Sequence, residues 1–421
     1  MRKAAALVPA AVLSALALGL AGCSAGPQSA GGGDENTLTV SGWSGDEVMS
    51  ALASQFEDDN PGVTVEITEL PWPNILTQIN TEMVSGTASD FVVVFPGNGN
   101  PITAQTLAKG NFLEDLSSDE WTGDFTDVNK AVMGADGKIL MGSNNFTIIP
   151  ATYNTQALEA LGATAPTTWT EVLDLCSAAK AEGKVAYALA GLAGGTFNYL
   201  PYALSATLVD GADPDFASEQ ASGDATFADS EWSTVLDKYL EMMDAGCFTA
   251  DALGTSLEVA QGQVATGDAV GIVTVSNQIG DIERAAPEGS TFETAPLPAT
   301  DDPSETVLPV GLGSGYGVNA KAKNKDLANK FMDFYLSEQG VQLALDTGSI
   351  FPSVPVDGFE PTPALVGVSE QAQSDKTAAF PDQTWPNSNT TKVYQDELQK
   401  LLGGQTSVDD ALAAMDSAYA G

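Results

Sequence analysis

The sequence predicts an α/β protein in which mostly parallel sheets are flanked by helices. Three observations predict it: short strands alternate with helices from Leu38 onwards, the helices carry apolar residues at helical spacing, and the third strand is apolar almost throughout. Leu38-Thr39-Val40-Ser41 is the first strand, ended by the turn Gly42-Trp43-Ser44-Gly45. Glu47 to Asp58 follows as a helix with Val48, Leu52 and Phe56 on one face, and Asn60-Pro61-Gly62 stops it. Val63 to Ile67 is the second strand, Asn74 to Val84 the second helix and Phe91 to Phe95 the third strand. A continuously apolar strand needs cover on both faces, as in a parallel sheet. Farther along, Thr168 caps the helix that Trp169 opens, with Glu171 three residues on as in a capping box. Ala328, Phe331, Met332 and Tyr335 form a helical stripe that belongs in a core. Trp121, Trp169 and Trp232 sit in helical contexts and read as packing residues. In such folds ligands bind outside the carboxyl ends of the strands, and Trp43, Trp72 and Phe95 follow strands one, two and three.

The chain opens with Met1-Arg2-Lys3 and an uncharged apolar run, Ala4 to Gly19, closed by Leu20-Ala21-Gly22-Cys23. A basic start, a short apolar run and small residues predict a secretory signal over residues 1–22 rather than a membrane span. Leu-Ala-Gly-Cys resembles the bacterial lipobox, which implies a diacylglyceryl group on Cys23 and cleavage just before it. Two acyl chains on one residue give a stable anchor where one does not. Residues 23–36, rich in Gly, Ser and Ala, read as a flexible spacer between lipid and fold. The mature protein is then expected on the extracellular face of the cytoplasmic membrane, held by its N-terminal lipid alone.

After loss of the signal 399 residues remain, enough for two domains with separate cores. Acidic residues number 56 against 16 basic ones, and the formal charge of −40 falls to about −42 without Arg2 and Lys3. Such a surface repels phosphate backbones and anionic lipid, so neither nucleic acid nor a membrane surface is an expected partner. No single acidic cluster dominates, so a solubilising surface is the simpler reading than a cation or polyamine site. The absence of histidine removes Ser-His-Asp and Cys-His catalysis and His-ligated zinc, though paired carboxylates would remain. No cofactor and no metal are expected. With Cys23 taken by lipid, Cys176 and Cys247 are an even pair in an oxidising compartment, for which a structural disulfide is expected ahead of two buried thiols.

Several segments taken together carry a family resemblance. They are Phe56-Glu57-Asp58-Asp59-Asn60-Pro61-Gly62-Val63, Ser89-Asp90-Phe91-Val92-Val93 and Gly110-Asn111-Phe112-Leu113-Glu114-Asp115-Leu116. Tyr153-Asn154, Pro166-Thr167-Thr168-Trp169, Gly267-Asp268-Ala269-Val270-Gly271, Lys323 to Ala328 and Gly403 to Leu412 continue the pattern in order. The chain thus resembles the extracellular solute-binding proteins of ABC importers, family 1, of the sugar-binding type that includes maltose- and oligosaccharide-binding proteins. The resemblance implies a two-lobed periplasmic-binding-protein fold, each lobe a mostly parallel sheet flanked by helices, with the ligand between them. It places crossovers near 144–150, 308–313 and 348–352, so that lobe one holds 37–144 and 312–347 and lobe two 145–311 and 348–421. A monomer is implied, with permease subunits as partners.

A sugar site needs flat aromatic faces and hydroxyl partners in a concave cleft. The candidate platforms are Trp43, Trp72, Phe95, Phe197, Tyr316, Phe351 and Trp385, and the candidate polar partners Asp46, Asn98, Asn145, Thr147, Asn277 and Gln278. Asp46 stands where the family often places a hydroxyl-binding acid. Val275-Ser276-Asn277 stands where relatives often carry a tryptophan, so the identity of the sugar is open. Trp385, in the polar Pro381-Asp382-Gln383-Thr384-Trp385-Pro386 run, is the platform least explained by core demand. Ligand bridging both lobes would close the hinge. The alternatives are a polyamine- or peptide-binding receptor of the same fold and, from another class, an extracellular glycosidase. The latter needs two carboxylates across a cleft, and no phosphate-loop pattern is present; the Gly-x-Ser-x-Gly spacing occurs at Gly22 to Gly26, across the expected signal cleavage point.

Overall fold

The computed structural model describes residues 36–421 except 72–73, 193–195, 348–350 and 355. The signal, Cys23, nearly all of the expected spacer and Trp72 lie outside the described residues. In chain order the strands are β1 (Thr37–Trp43), β2 (Thr64–Leu70), β3 (Phe91–Val94), β4 (Gly134–Ala135), β5 (Lys138–Ile139), β6 (Asn145–Ile148) and β7 (Ala151–Asn154). They continue with β8 (Val185–Ala188), β9 (Ala269–Val273), β10 (Phe292–Ala295), β11 (Leu308–Leu312), β12 (Gly315–Val318), β13 (Phe351–Pro352) and β14 (Thr377–Ala378).

Two sheets form two lobes. The first has the order β12-β3-β1-β2, with β1 parallel to β2 and β3 and β12 antiparallel to β3. All four residues of β3 are buried, as its apolar composition demands, whereas β2 is an edge strand with alternating exposure. The helix Glu47–Asp59 buries Met49, Leu52 and Phe56, and Asn74–Ser85 buries Ile75, Ile79 and Met83. Val48 is only partly covered; Met49 takes the inward position on the first helix. Phe91 sits among Tyr316, Phe331 and Tyr335, so β3, β12 and the helix Lys325–Tyr335 share one aromatic core.

The second sheet has the order β10-β7-β9-β8 and is mixed: β8 and β9 are parallel, while β7 runs against β9 and β10. The reason is local. Only two residues separate β7 from β6, so it leads away from the junction, whereas β9 is reached through helices and runs back towards it. The first residue of β7 therefore pairs with the last of β9, Ala151 with Val273. The same logic makes β12 antiparallel to β3, with Gly315 opposite Val94.

A third sheet, β13-β6-β11-β14, stands between the two lobes. β6 is antiparallel to β11 and β13, and β11 is parallel to β14. Because β1, β3 and β9 all run towards this sheet, their carboxyl ends meet at the junction, where a ligand site is expected.

Lobe two has the larger core. Tyr202, Phe227, Trp232, Trp385 and Tyr394 make a contiguous aromatic group, with Tyr202 stacked on Tyr394 at 5.3 Å and Trp385 edge-on to Tyr202 and Phe227. Trp169 is buried as well; its Nε1 donates to Glu241 at 2.9 Å and Lys238 lies over its ring at 4.2 Å. Thr168 accepts from the Glu171 N–H, while Glu171 reaches back one residue farther than a standard box, to the Thr167 N–H. Cys176 and Cys247 are bonded, joining the helix Trp169–Ala181 to the segment after Trp232–Ala245. The bridge spans 71 residues of chain, for which loop-closure entropy is worth about 4 kcal/mol, with about 2–4 kcal/mol typical of measured cases. Replacing both cysteines by serine should leave the fold intact and lower the unfolding free energy by about 2–4 kcal/mol, as read by denaturant titration at equal m-value.

Candidate ligand-binding cleft

The junction is built from loops that follow the inward-running strands. At the end of β1, Trp43 is half-buried and meets Phe95, the residue after β3, edge-on at 5.7 Å and 84°. Three residues later Asp46 caps the helix Glu47–Asp59 and accepts from the Met49 N–H at 2.9 Å. Burial raises the Asp46 carboxyl above its ordinary value, the Met49 N–H only partly opposing it. Beneath lies Tyr316 of β12, stacked on Phe91 at 4.8 Å and 4% exposed. Its hydroxyl faces Asp46 but falls short of a well-formed hydrogen bond, leaving a buried donor unpaired. Burial, and then the Asp46 charge, hold the Tyr316 phenol well above its usual pKa.

The first crossover continues this polar ground. Tyr335 donates to Asn144 Oδ1 at 3.0 Å, Asn145 Nδ2 donates to the same oxygen at 3.0 Å, and Asn144 Nδ2 has no partner. Thr147 lies on β6 with its hydroxyl 3.4 Å from Asn145 Oδ1. From lobe two, the Ser276 hydroxyl accepts from the Ile148 N–H, which fixes the turn after β9 against β6. That turn leaves Asn277 exposed and ties Gln278 to Thr274. Trp43, Asp46, Phe95 and Tyr316 thus share one sheet end, Asn145 and Thr147 the crossover, and Asn277 and Gln278 the end of β9.

Other candidates lie elsewhere. Phe197 is 1% exposed in the core of lobe two, and Phe351 is 3% exposed and edge-on to Phe359. Trp385 is 2% exposed: its indole completes the aromatic group of lobe two, so core packing does account for it despite the polar residues around it. Asn98 spends both ends of its amide, accepting from Thr106 Oγ1 at 2.8 Å and donating to the Pro386 carbonyl. That last bond joins the loop after β3 to lobe two. Gly97 and Gly99 flank it, and a methyl on either would crowd the opposite chain, at 2.7 Å from Gln383 Cα and 3.0 Å from the Asp382 carbonyl oxygen respectively. Gln383 in turn donates to the Leu312 carbonyl of β11 at 2.9 Å.

This contact brings in two residues that reading the sequence missed, Asp382 and Tyr199. Asp382 is the one acid of the Pro381–Pro386 run, a usable signal that the neighbouring indole overshadowed. Burial pushes its carboxyl up to about 6, against the pull of the Asp382 and Gln383 N–H groups. Its charge also reaches Tyr199, Tyr202 and Tyr394. Among the described residues no lysine or arginine bridges to Asp46 or Asp382. Two surface cavities, of about 340 and 650 Å³, lie around Gln156 and Lys184 and around Lys130 and Lys138.

Two α/β lobes, joined by paired crossovers and presenting aromatic and polar groups where strand ends converge, define a two-lobed binding protein. A model of the bacterial extracellular solute-binding proteins matches residues 42–342, and the chain belongs to that family. It is a binding protein, not an enzyme. Among solved structures, a chitin oligosaccharide binding protein gives a TM-score of 0.77 at 18% identity, covering 91% of this chain and 98% of that one. The solute-binding protein RafE in complex with raffinose gives 0.75 at 18% identity, covering 91% and 98%. Maltose-bound MalE3 of T. maritima gives 0.74 at 19%, covering 91% and 99%. At such identities the likeness is one of fold. No curated protein matches the sequence. No helix among the described residues is long and apolar enough to cross a membrane.

The raised Asp382 pKa has a stability consequence. A carboxyl moved from 3.8 to about 6 on folding favours the folded state least when ionised, so stability falls as pH rises through that window and the penalty is complete above it. Asp382→Asn should therefore raise the thermal stability of the ligand-free protein at pH 8, by an amount on the order of 1–3 kcal/mol, and change it little at pH 3.5.

Proposed function

We propose that this protein is a lipid-anchored extracellular receptor that binds a sugar, in the first instance an oligosaccharide, between its lobes and delivers it to the permease of an ABC importer. The observation that carries the reading is the grouping of Trp43, Phe95, Asp46 and Tyr316 at one sheet end, facing the crossovers. An indole and a phenyl ring supply apolar faces for C–H groups, and a desolvated carboxylate beside an unpaired phenol supplies hydroxyl partners. The sugars bound by RafE and MalE3, and the chitin oligosaccharide named for a third relative in fold, support the same class.

In this reading lobe one comprises 37–144 and 312–347 and lobe two 145–311 and 348–421, as a monomer. Ligand touching both lobes favours the closed form by its extra affinity for that form, and the permease reads the closed form. Residues 1–22 are removed, Cys23 carries the lipid, and 23–36 give the receptor reach while raising its concentration at the transporter. A polyamine is the second reading, favoured by the absence of a cation bridged to Asp46 or Asp382 among the described residues.

The test is thermal unfolding of the lipid-free mature chain with mono- and oligosaccharides, spermidine and short peptides. A ligand at 100 times its dissociation constant should add about 2.7 kcal/mol. The sugar reading expects a response to one sugar group that is unchanged by salt and weakened at least tenfold in Trp43→Ala. A salt-sensitive response to spermidine alone would replace it with the polyamine reading.

A further inference from the structure

Two buried hydroxyls hold the ends of the first crossover, one from each lobe. At the lobe-one end Tyr335 closes the helix Lys325–Tyr335 and is buried. Its hydroxyl accepts from the Asn144 N–H at 3.3 Å and donates to Asn144 Oδ1 at 3.0 Å, while its ring is held edge-on to Phe91 and Tyr316 in the lobe-one core. At the lobe-two end Ser276, buried in the turn after β9, accepts from the Ile148 N–H at 3.3 Å. Ile148 itself belongs to the apolar cluster that holds Ile272 and Ile279. Each hydroxyl thus satisfies a buried backbone N–H that would otherwise lack this partner.

The three residues between these grips are held differently. The Asn145 carbonyl accepts from the Gly313 N–H at 2.9 Å, Phe146 is paired with Leu312 and Phe351, and Thr147 is paired with Gly311. Their ladder partners are the other crossovers rather than either lobe body. Asn144 is where the two regimes meet: its carbonyl also accepts from the Ser353 N–H at 3.2 Å, so Tyr335 steadies the third passage through the first. Rotation of one lobe on the other has to be absorbed by a few residues that neither lobe grips, and 145–147 are those residues on the first crossover.

We propose that the Tyr335 and Ser276 hydroxyls are the positioning groups of the hinge. They fasten the first crossover to lobe one at Asn144 and to lobe two at Ile148, and so confine its bend to 145–147. The inference rests on the closure proposed above and not on which ligand drives it. With both grips in place the lobes turn about one short axis. Loss of the Tyr335 hydroxyl frees Asn144, and with it Ser353, to join the moving segment. Loss of the Ser276 hydroxyl lengthens the segment at its other end. The empty receptor then samples more relative orientations of its lobes, while each lobe keeps its own packing.

The test is pulsed electron-resonance distance measurement on the ligand-free, lipid-free chain from residue 23 with Cys23→Ser, in which Cys176 and Cys247 are bonded and take no label. One nitroxide pair, at Val84→Cys and Ser218→Cys, spans the lobes; a second, at Val84→Cys and Val128→Cys, stays within lobe one, and all three positions are exposed. Tyr335→Phe and Ser276→Ala should each widen the interlobe distance distribution by roughly half and leave the pair within lobe one unchanged. Tyr153→Phe, which removes the buried Tyr153 to Tyr187 hydroxyl bond from the core of lobe two, should leave both pairs at wild-type width. That contrast separates a hinge role from the loss of any buried hydroxyl. Wild-type interlobe width in either Tyr335→Phe or Ser276→Ala overturns the proposal and leaves the closure reading standing. Widening of the pair within lobe one to the same extent also overturns it, since lobe packing is then what was lost. An interlobe distribution as narrow as the one within lobe one, in wild type and in every variant, overturns both the proposal and the closure reading.

Discussion

Every passage of the chain between the two lobes must satisfy its backbone hydrogen bonds without a lobe sheet to join, and the rest of the structure follows from how it does so. The crossovers pair with one another. β6 lies between β11 and β13, with Phe146 opposite both Leu312 and Phe351, so three separate passages become one small sheet. Gly311 and Gly313 leave no room for side chains on β11's exit, where Gln383 and Asn145 press against the backbone. The Ser353 hydroxyl bonds the Ser143 carbonyl, tying the third passage to the first. A hinge of this kind is stiff to shear, because sliding breaks several bonds together. It remains free to twist, as paired strands do. It also decides strand direction. Strands reached through helices run into the junction, strands entered from a crossover run out of it, and both lobes turn their carboxyl ends to the same place.

That convergence concentrates polar groups that the cores cannot absorb. Tyr316 and Asn144 each keep a buried group without a partner, and each such group costs roughly 1–3 kcal/mol. Asp46 and Asp382 add desolvated carboxylates. None of this helps folding. The large aromatic core of lobe two and the disulfide supply stabilisation that these groups do not. Rigid support behind and unmet polar demand in front is what a preorganised binding surface requires.

Much of lobe one was legible because its strands and helices are local: β1, β3 and the helices after β1 and β2 are specified by runs of a few residues; in lobe two, Thr168 likewise announces its helix by its own hydroxyl. What sequence did not disclose depends on distant partners. Trp385 looks stranded among polar neighbours until Tyr202, Phe227 and Trp232 arrive from elsewhere in the chain to enclose it. Asn98 has the chemistry of a ligand residue, yet Thr106 and Pro386 occupy it first. Asp382 is one acid among 56, and only its opposition to Gly99 gives it meaning. The mixed order of the second sheet was equally hidden, since direction is set by whether a strand is entered from a crossover or a helix.

The loop Gly97-Asn98-Gly99 bears on the closure proposed above. Lobe-to-lobe contact there is made by backbone against backbone, with an amide rather than a charged pair as the link. A charged latch would hold the lobes together in the absence of ligand and blunt the response to it, because a ligand can shift the equilibrium only by its differential affinity for the two states. A single neutral bond between close-fitting glycine backbones does the opposite. Under the hinge closure proposed above it would fix where the lobes stop, add little to whether they close, and leave that decision to the ligand. Added bulk at Gly99 would then shift that stop, because a methyl there meets the Asp382 carbonyl oxygen and side chain at 3.0–3.3 Å.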